Sequence, residues 1–390
     1  MKNEFTVFGS GISAKITSCL LAKNGFNVCL ISDKDKNKEP FDTNLVTFLS
    51  SGSLNYLSLM IPNLHFLMEN PSIETVKCQL NSLSKRKSQT IDFNDQEKGT
   101  LGKIVNNSDL DKYLDEEINK LGNINRFGFD QLKKVENTLE GVELKLRNGE
   151  KIMSELFILS STKKNIAEQI KIKLIEKDLK QEALSISIKG EIKNKNCAFQ
   201  KFTPDGPIAL LPYAKDRASV VWSLKTNSKI LSKQKEELAE IVQQHLKEHI
   251  TEVKIIDIEK HKLKFVYAKN LFYKNTVLIG NVAHNIHPIA GQGLNLSIKD
   301  IALFVKQVIQ YKSLGYKLND PMILEEFETN RKVDNSIYSF GTFALNGILS
   351  SDNKFVNFTT RKGLGLIEKS KHLKQFFVRS ATGREFFKYF

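Results

Sequence analysis

Cysteine is scarce: the 390 residues hold 4, and none of Cys19, Cys29, Cys78 and Cys197 belongs to a C-x-x-C pair. That excludes a disulfide framework and a cysteine-built metal site. Cys19 and Cys29 fall in apolar segments, where thiols act as small buried hydrophobes. The 8 prolines form no linker, and no low-complexity stretch or internal repeat breaks the chain. No apolar run approaches the roughly 20 residues of a membrane span. Met1-Lys2-Asn3-Glu4 leads directly into a strand pattern, so no signal peptide is expected and the expected location is cytoplasmic. Acidic residues are outnumbered 44 to 58, giving a formal net charge of +14. The excess is mostly lysine, spread along the chain without interleaved stacking aromatics, which argues against a nucleic-acid partner. Such a diffuse field still favours an anionic membrane surface. The length suffices for two domains with cores of their own.

What is present concentrates in two segments. Phe5–Phe8 reads as a short strand, followed by Gly9-Ser10-Gly11-Ile12-Ser13-Ala14, a helical run to Asn24, Gly25, and a second strand over Asn27–Ile31. This is the GxGxxA form of the dinucleotide fingerprint in its required strand–turn–helix–strand setting. Gly9 permits the tight turn, Gly11 lets backbone approach a pyrophosphate, and Ala14 allows close helix–strand packing. Late in the chain, the apolar run Thr276–Ile279 breaks at Gly280 and passes through Asn281, His284, His287 and Pro288 to Gly291-Gln292-Gly293. A helix is predicted from Leu294, with Ile298, Ile301, Ala302, Val305 and Ile309 three to four apart. Glycines at a helix mouth expose N–H groups and the positive dipole end, which suits an anionic or electron-rich ligand. His284 and His287 lie three apart, but no third and fourth ligand stands at a useful spacing, so no metal site is expected.

Together these segments resemble the FAD-dependent aromatic hydroxylases of ubiquinone biosynthesis, which share the para-hydroxybenzoate hydroxylase fold. The family pattern GDAAHxxHPxAGQGxNLGxxD stands here as GNVAHNIHPIAGQGLNLSIKD, Gly280 to Asp300. Ala198 to Pro212 is similar to the family's A-x-x-x-F-x-x-x-GPxAxLP strand, with Val221-Trp222 after it, and Arg331, Asp334-Asn335, Asn346, Arg361, Gly363 and Ala381-Thr382-Gly383 continue the match. The resemblance implies an α/β fold in which a Rossmann-like FAD-binding domain (1–75, 100–170 and 270–345) is interleaved with a sheet-rich substrate domain (76–99 and 171–269). A C-terminal helical segment (346–390) completes it. It implies FAD as cofactor, NAD(P)H as electron donor, O2, and a polyprenylated phenol as substrate. Gly9, Gly11 and Ala14 would meet the pyrophosphate, Ser32 or Asp33 the adenosine ribose, Asn281 the ribityl chain, and Gly291, Gln292, Gly293, Leu294 and Asn295 the flavin ring. His287, Pro288 and Pro212 would shape the reaction face. The protein of such an enzyme supplies binding and orientation rather than a nucleophile, in keeping with the lack of a triad or paired carboxylates.

The chain also departs from the pattern. The acidic residue closing the second strand is Ser32, with Asp33 one place later; expected arginines are Leu45 and Ser108; the motif ADG-x-x-S-x-x-R stands as Ser160-Ser161-Thr162-Lys163-Lys164-Asn165; and the GDAAH aspartate is Asn281. Each lost charged hydrogen bond weakens cofactor binding by roughly 1.5–3 kcal/mol. Two readings follow: an active enzyme, or a redox-inactive member that serves as a partner for other ubiquinone-biosynthesis proteins. A third element is the C-terminus. Leu373, Phe376, Phe377, Phe386, Phe387, Tyr389 and Phe390 mix there with Lys371, Lys374, Arg379, Arg384 and Lys388, a composition suited to peripheral contact with the inner face of a membrane. The alternative is that these aromatics pack on the domain or on a second subunit.

Overall fold

The apolar N-terminal run builds β1 (Lys2–Phe8), and the glycine turn after it opens α1 (Ile12–Lys23) and β2 (Val28–Ser32). The structure, a computed structural model, describes residues 2–33, 45–62, 64, 66–80, 89–95, 99–161, 164–285, 291–349 and 370–390. Next come β3 (Val46–Ser50), α2 (Ser51–Met60), α3 (Phe66–Glu69), β4 (Ser72–Ile73), β5 (Thr75–Leu80), β6 (Gln89–Asn94) and β7 (Gly102–Asn106). Then α4 (Asn107–Asn119), β8 (Ile124–Gly128), β9 (Leu132–Asn137), β10 (Val142–Leu146), β11 (Lys151–Leu159) and α5 (Lys164–Gln169) follow. The middle of the chain supplies β12 (Leu174–Ile192), β13 (Cys197–Thr203), β14 (Gly206–Pro212), β15 (Arg217–Lys225), α6 (Lys235–Leu246) and β16 (Ile250–Ala268). It closes with β17 (Phe272–Tyr273), β18 (Thr276–Leu278), β19 (His284–Asn285), α7 (Gly293–Ser313), α8 (Pro321–Leu349), α9 (Lys371–Thr382) and α10 (Arg384–Phe387).

One sheet runs β17-β18-β11-β1-β2-β8, with β10 pairing β11 and β9. The strands β18, β11, β1, β2 and β8 are mutually parallel. All five residues of β2 and the last four of β11 are buried, as expected of parallel strands covered on both faces. The chain leaves β1 for β2 on one side and later returns to β11 on the other, so a crevice opens at the carboxyl end of β1, where such folds hold ligands. Asn148-Gly149, a pair that predicts a hairpin turn, joins β10 to β11, with Gly149 at φ 90°. α1 is tied to α4 by Lys15, whose ammonium lies 2.7 Å from Asp111 and 2.6 Å from Asp115.

The second sheet runs β19-β16-β12-β15-β14-β13-β5-β6, and a third joins β3-β7-β4. Leu184, Ile186 and Ile188 of β12 face α6 and meet its Leu238, Val242 and Leu246 in one core around Trp222. The apolar spacing of Leu238, Ile241, Val242 and Leu246 predicts a helix over Lys235–Ile250, but the helix ends at Leu246, and Ile250 already belongs to β16. Cys19 and Cys29 are buried in the first sheet's core, and burial pushes their thiols up to about 11 and about 12.

Candidate functional site

Three strand ends converge at the first glycine turn. A Cβ built on Gly9 would lie 3.0 Å from the Ser160 carbonyl oxygen, just past β11, and 3.1 Å from Ala14 Cβ. One built on Gly280, past β18, would lie 3.1 Å from Ser13 Cβ and 3.2 Å from Ser160 Oγ. Gly9, Ser13, Ala14, Ser160 and Gly280 thus interlock, and Ala14 makes the close approach its size allows. Gly11 differs: among the described residues, no atom lies within 4 Å of a Cβ built there. Packing gives no reason for glycine at 11, whereas a ligand seated against that backbone would.

The helix N-termini sort the same way. α2, α4 and α9 are capped by Ser50, Asn106 and Ser370, whose side chains accept from Ser53, Ser108 and Leu373 N–H. α1 and α7 begin at Gly11 and Gln292 with no side-chain cap and no acidic residue in the first turn. These two helices open at the two glycine turns. Their first N–H groups are therefore left for an anion or a carbonyl edge.

Ser32 ends β2 and is buried, its hydroxyl without a partner among the described residues. Asp33 lies past the strand end, where the pleat no longer dictates its face. It is exposed, its N–H donates to Ser10 Oγ at 2.8 Å, and Ser10 Oγ lies 3.4 Å from its carboxylate. That anchors Asp33 beside the glycine turn, within the region the resemblance assigns to the adenosine ribose. Ser160 also has a buried hydroxyl with no partner among the described residues. These orphaned groups, the open face of Gly11 and the uncapped α1 fit the ADP part of FAD.

The second turn is set by β3. Gly291 has φ 58°, the left-handed region that favours glycine, and a Cβ on it would come 3.3 Å from Phe48 Cβ. Asn295 is buried and fully engaged with protein: its amide donates to the Phe48 carbonyl at 2.7 Å and its carbonyl accepts from Ser50 N–H at 2.8 Å. It fixes the turn against β3, so its side chain positions the loop rather than touching a ring. Gln292 is buried at the helix start, Leu294 packs against the first core, and Asn281 is exposed beyond Gly280. His287 and Pro288 lie outside the described residues.

His284 is buried, with Nε2 2.5 Å from Asp300 Oδ2. Arg331, also buried, donates through Nε to Asp300 Oδ1 at 2.7 Å and through its other nitrogens to Asp334 and Asn335. Burial alone pushes the Asp300 carboxyl up, but His284 and Arg331 together hold it below the usual range. Among the described residues, His284 Nδ1 has no partner. The network ties the residues entering the glycine loop to α7 and α8.

One placement corrects the sequence reading. Pro212 pairs with Ala218, which pairs with Ile188, and both partners belong to the core under α6. Strand alternation therefore turns Pro212 away from β3 and the glycine turn beside it. The opposite face carries the row Leu211, Ser219 and Ser187, with Tyr213 OH 3.3 Å from Ser187 Oγ. Leu211 and Tyr213 pack with Phe48, Val46 and Val76 around Ile73, Ile104 and Ala198. Pattern reading missed Phe48 and Tyr213, since only the meeting of β3 with β14 singles them out. Nearby, Phe265 and Tyr267 of β16 contact Phe340 of α8, with ring centroids 5.8 Å and 5.0 Å apart.

The sequence profile of a family described as an FAD binding domain matches residues 3–313. The chain is 26% identical over 289 residues to the ubiquinone hydroxylase UbiL of Rhodospirillum rubrum, covering 73% of this chain and 67% of that protein. It is 26% identical over 245 residues to the 3-demethoxyubiquinol 3-hydroxylase of Escherichia coli, covering 62% of each. The chain thus spans about two thirds of the length of these curated relatives. Among solved structures, p-nitrophenol 4-monooxygenase from Pseudomonas putida superposes with a TM-score of 0.76 at 12% identity, covering 98% of this chain and 99% of that one. A probable FAD-dependent monooxygenase from Pseudomonas aeruginosa gives 0.76 at 13% identity, covering 90% and 97%. The fold is that of these flavin monooxygenases, as the resemblance implied.

Proposed function

The chain belongs to the FAD-binding-domain family, and on that premise we propose that it is an FAD-dependent monooxygenase hydroxylating the ring of a polyprenylated phenol in ubiquinone biosynthesis. The observation that carries this reading is the pair of uncapped helices opening at the two glycine turns, one beside an open Gly11. We assign segments 1–75, 100–170 and 270–345 to the cofactor unit, and 76–99 and 171–269 to the substrate unit. The names of the curated relatives, a ubiquinone hydroxylase and a demethoxyubiquinol hydroxylase, support the substrate class.

In this reading Gly9, Gly11 and Ala14 receive the pyrophosphate on the N–H groups of α1, Ser32 and Asp33 face the ribose, and Asn281 the ribityl chain. The Gly291–Gly293 turn presents backbone donors and the positive end of α7 to the flavin ring, where negative charge gathers on reduction. Bound FAD supplies the redox chemistry: two electrons from NAD(P)H reduce O2, one oxygen atom enters the ring and the other leaves as water. The chain's own task is orientation and exclusion of water. Asn295 holds the turn in place, while Leu211, Tyr213 and Phe48 offer an apolar wall with the Ser187 and Tyr213 hydroxyls to orient a phenol.

The test is the visible spectrum of the purified protein and the quenching of FAD fluorescence on titration, followed by NAD(P)H oxidation with a short-chain prenylated phenol. A yellow protein whose oxidase rate rises with the phenol is the expected result. A colourless protein that fails to quench added FAD would instead make it a redox-inactive partner of other ubiquinone-biosynthesis proteins, the reading that the altered residues Ser32 and Asn281 favour.

A further inference from the structure

Two neighbouring helices carry their apolar stripes on the wrong side for a core. On α9, Leu373, Phe376 and Phe377 share one face by their spacing and are 44%, 64% and 44% exposed. Val378 and Thr382, on the opposite face, are the residues that α9 buries. On α8, Val333, Ile337 and Phe340 recur at i, i+4 and i+7 with exposures of 65%, 64% and 48%, while Arg331, Asn335 and Ser339 turn inward. The helices touch: Tyr338 of α8 donates its hydroxyl to the Ser380 carbonyl of α9 at 2.8 Å. Soluble helices normally bury such stripes.

The rest of the C-terminus behaves differently. Phe387 is buried and stacks on Tyr56 with centroids 5.1 Å apart, and Phe386 and Phe390 pack against the first core. A Cβ on Gly52 would fall 2.7 Å from the Thr382 carbonyl oxygen, so the 382–384 backbone is pressed onto α2. The aromatics of α10 thus pack on the domain, which for them is the alternative to membrane contact. What remains outside is the α9 stripe and the α8 stripe.

We propose that these two outward apolar stripes dock the protein on an anionic lipid bilayer. The charge chooses this occupant. α9 contains Lys371, Lys374 and Arg379 and no acidic residue, with Lys371 exposed at its start and Arg379 exposed and flanking the apolar face by its spacing, on a chain of formal net charge +14. Aromatics at headgroup depth with flanking cations match the interface of an anionic leaflet. Each cation held near such a surface raises partitioning by about fivefold. No described helix is long and apolar enough to cross a membrane, so the contact is peripheral. The inference deepens the proposed function, because a polyprenylated phenol is itself a solute of the bilayer.

The full-length protein is sedimented with sucrose-loaded vesicles of phosphatidylcholine, with and without phosphatidylglycerol. Binding should be strong only to the anionic vesicles and should weaken at high salt. The double variant Phe376→Glu, Phe377→Glu should lose at least tenfold in partitioning, with the unfolding midpoint and FAD quenching unchanged. Leu139→Glu, at the exposed tip between β9 and β10, should bind as the wild type does. The proposal is overturned if the wild type ignores anionic vesicles, or if the double variant binds equally. It is also overturned if the variant abolishes a dimer while vesicle binding persists, since the stripe would then meet a second copy. Failure of the functional reading shows separately, as loss of flavin quenching in a protein that still binds vesicles.

Discussion

Gly11→Ala separates a glycine kept for a ligand from one kept for packing. Residue 11 has φ −78° and ψ 168°, open to any L-residue, and its new methyl would meet no atom of the described residues within 4 Å. The apo protein should therefore lose only the difference between glycine and alanine as an N-cap, about 0.5–1 kcal/mol. The methyl does stand between the α1 N–H groups and any diphosphate placed there. Losing one charge-assisted hydrogen bond costs about 1.5–3 kcal/mol, which raises the Kd for FAD roughly 10- to 150-fold. Gly9→Ala is the counterpart: its Cβ lands 3.0 Å from the Ser160 carbonyl oxygen and cannot be relieved without parting β1 from β11. That variant should cost the apo protein more, about 1–3 kcal/mol. Urea unfolding of the apo forms and quenching of FAD fluorescence measure the two quantities independently. If Gly11→Ala binds FAD within twofold of wild type, the pyrophosphate does not lie on this turn and the reasoning from its open face fails.

The remaining predictions concern buried charge. Asp300 is held below its ordinary pKa in the folded state, so its contribution is present above the unfolded value of about 3.9 and is lost as pH falls through the lower folded value. Asp300→Asn should flatten that acid limb in unfolding scans and, by removing the buried carboxylate that His284 and Arg331 share and leaving Arg331 only the half-exposed Asp334 as an ionic partner, cost about 3–5 kcal/mol at neutral pH. Lys299 is pushed down to about 8, chiefly by burial, with its ammonium 5.2 Å from the Tyr338 ring centroid and 5.6 Å from that of Phe386. A lysine with a depressed folded pKa penalises folding below that value and releases the penalty as pH rises towards the unfolded value of about 10.4. Lys299→Met should therefore unfold later than wild type near neutral pH, and the difference should shrink between about pH 8 and 10.4. A constant difference across that range would refute the buried ammonium.

Much of the candidate site was legible because its two glycine turns are built from local chemistry. Gly9, Gly11 and Ala14 follow from a strand–turn–helix pattern within the first fifteen residues, and Gly291–Gly293 sits where apolar spacing starts a helix. The helix starts, the Asn148-Gly149 hairpin and the α6 stripe depend on neighbours a few residues apart, and periodicity reports such neighbours. The illegible parts depend on distant partners. Pro212 was assigned to the reaction face from its motif, but its face follows from the β14–β15 register, and that register turns it under α6. Asn295 reads as a ring contact until Ser50, 245 positions away, is seen to occupy it. Phe387 and Phe376 are alike in composition, yet Tyr56 buries one and nothing described covers the other.

The order of residues alone determined the two glycine turns, the strands and helices they join, and a positively charged chain without disulfides, since each follows from spacing, side-chain size or formal charge. Tertiary structure decided which strand ends meet, which hydroxyls are left without partners, and which aromatics stay in water. Those outcomes depend on contacts between segments hundreds of residues apart, whose free energies are set by burial and register that no local pattern contains.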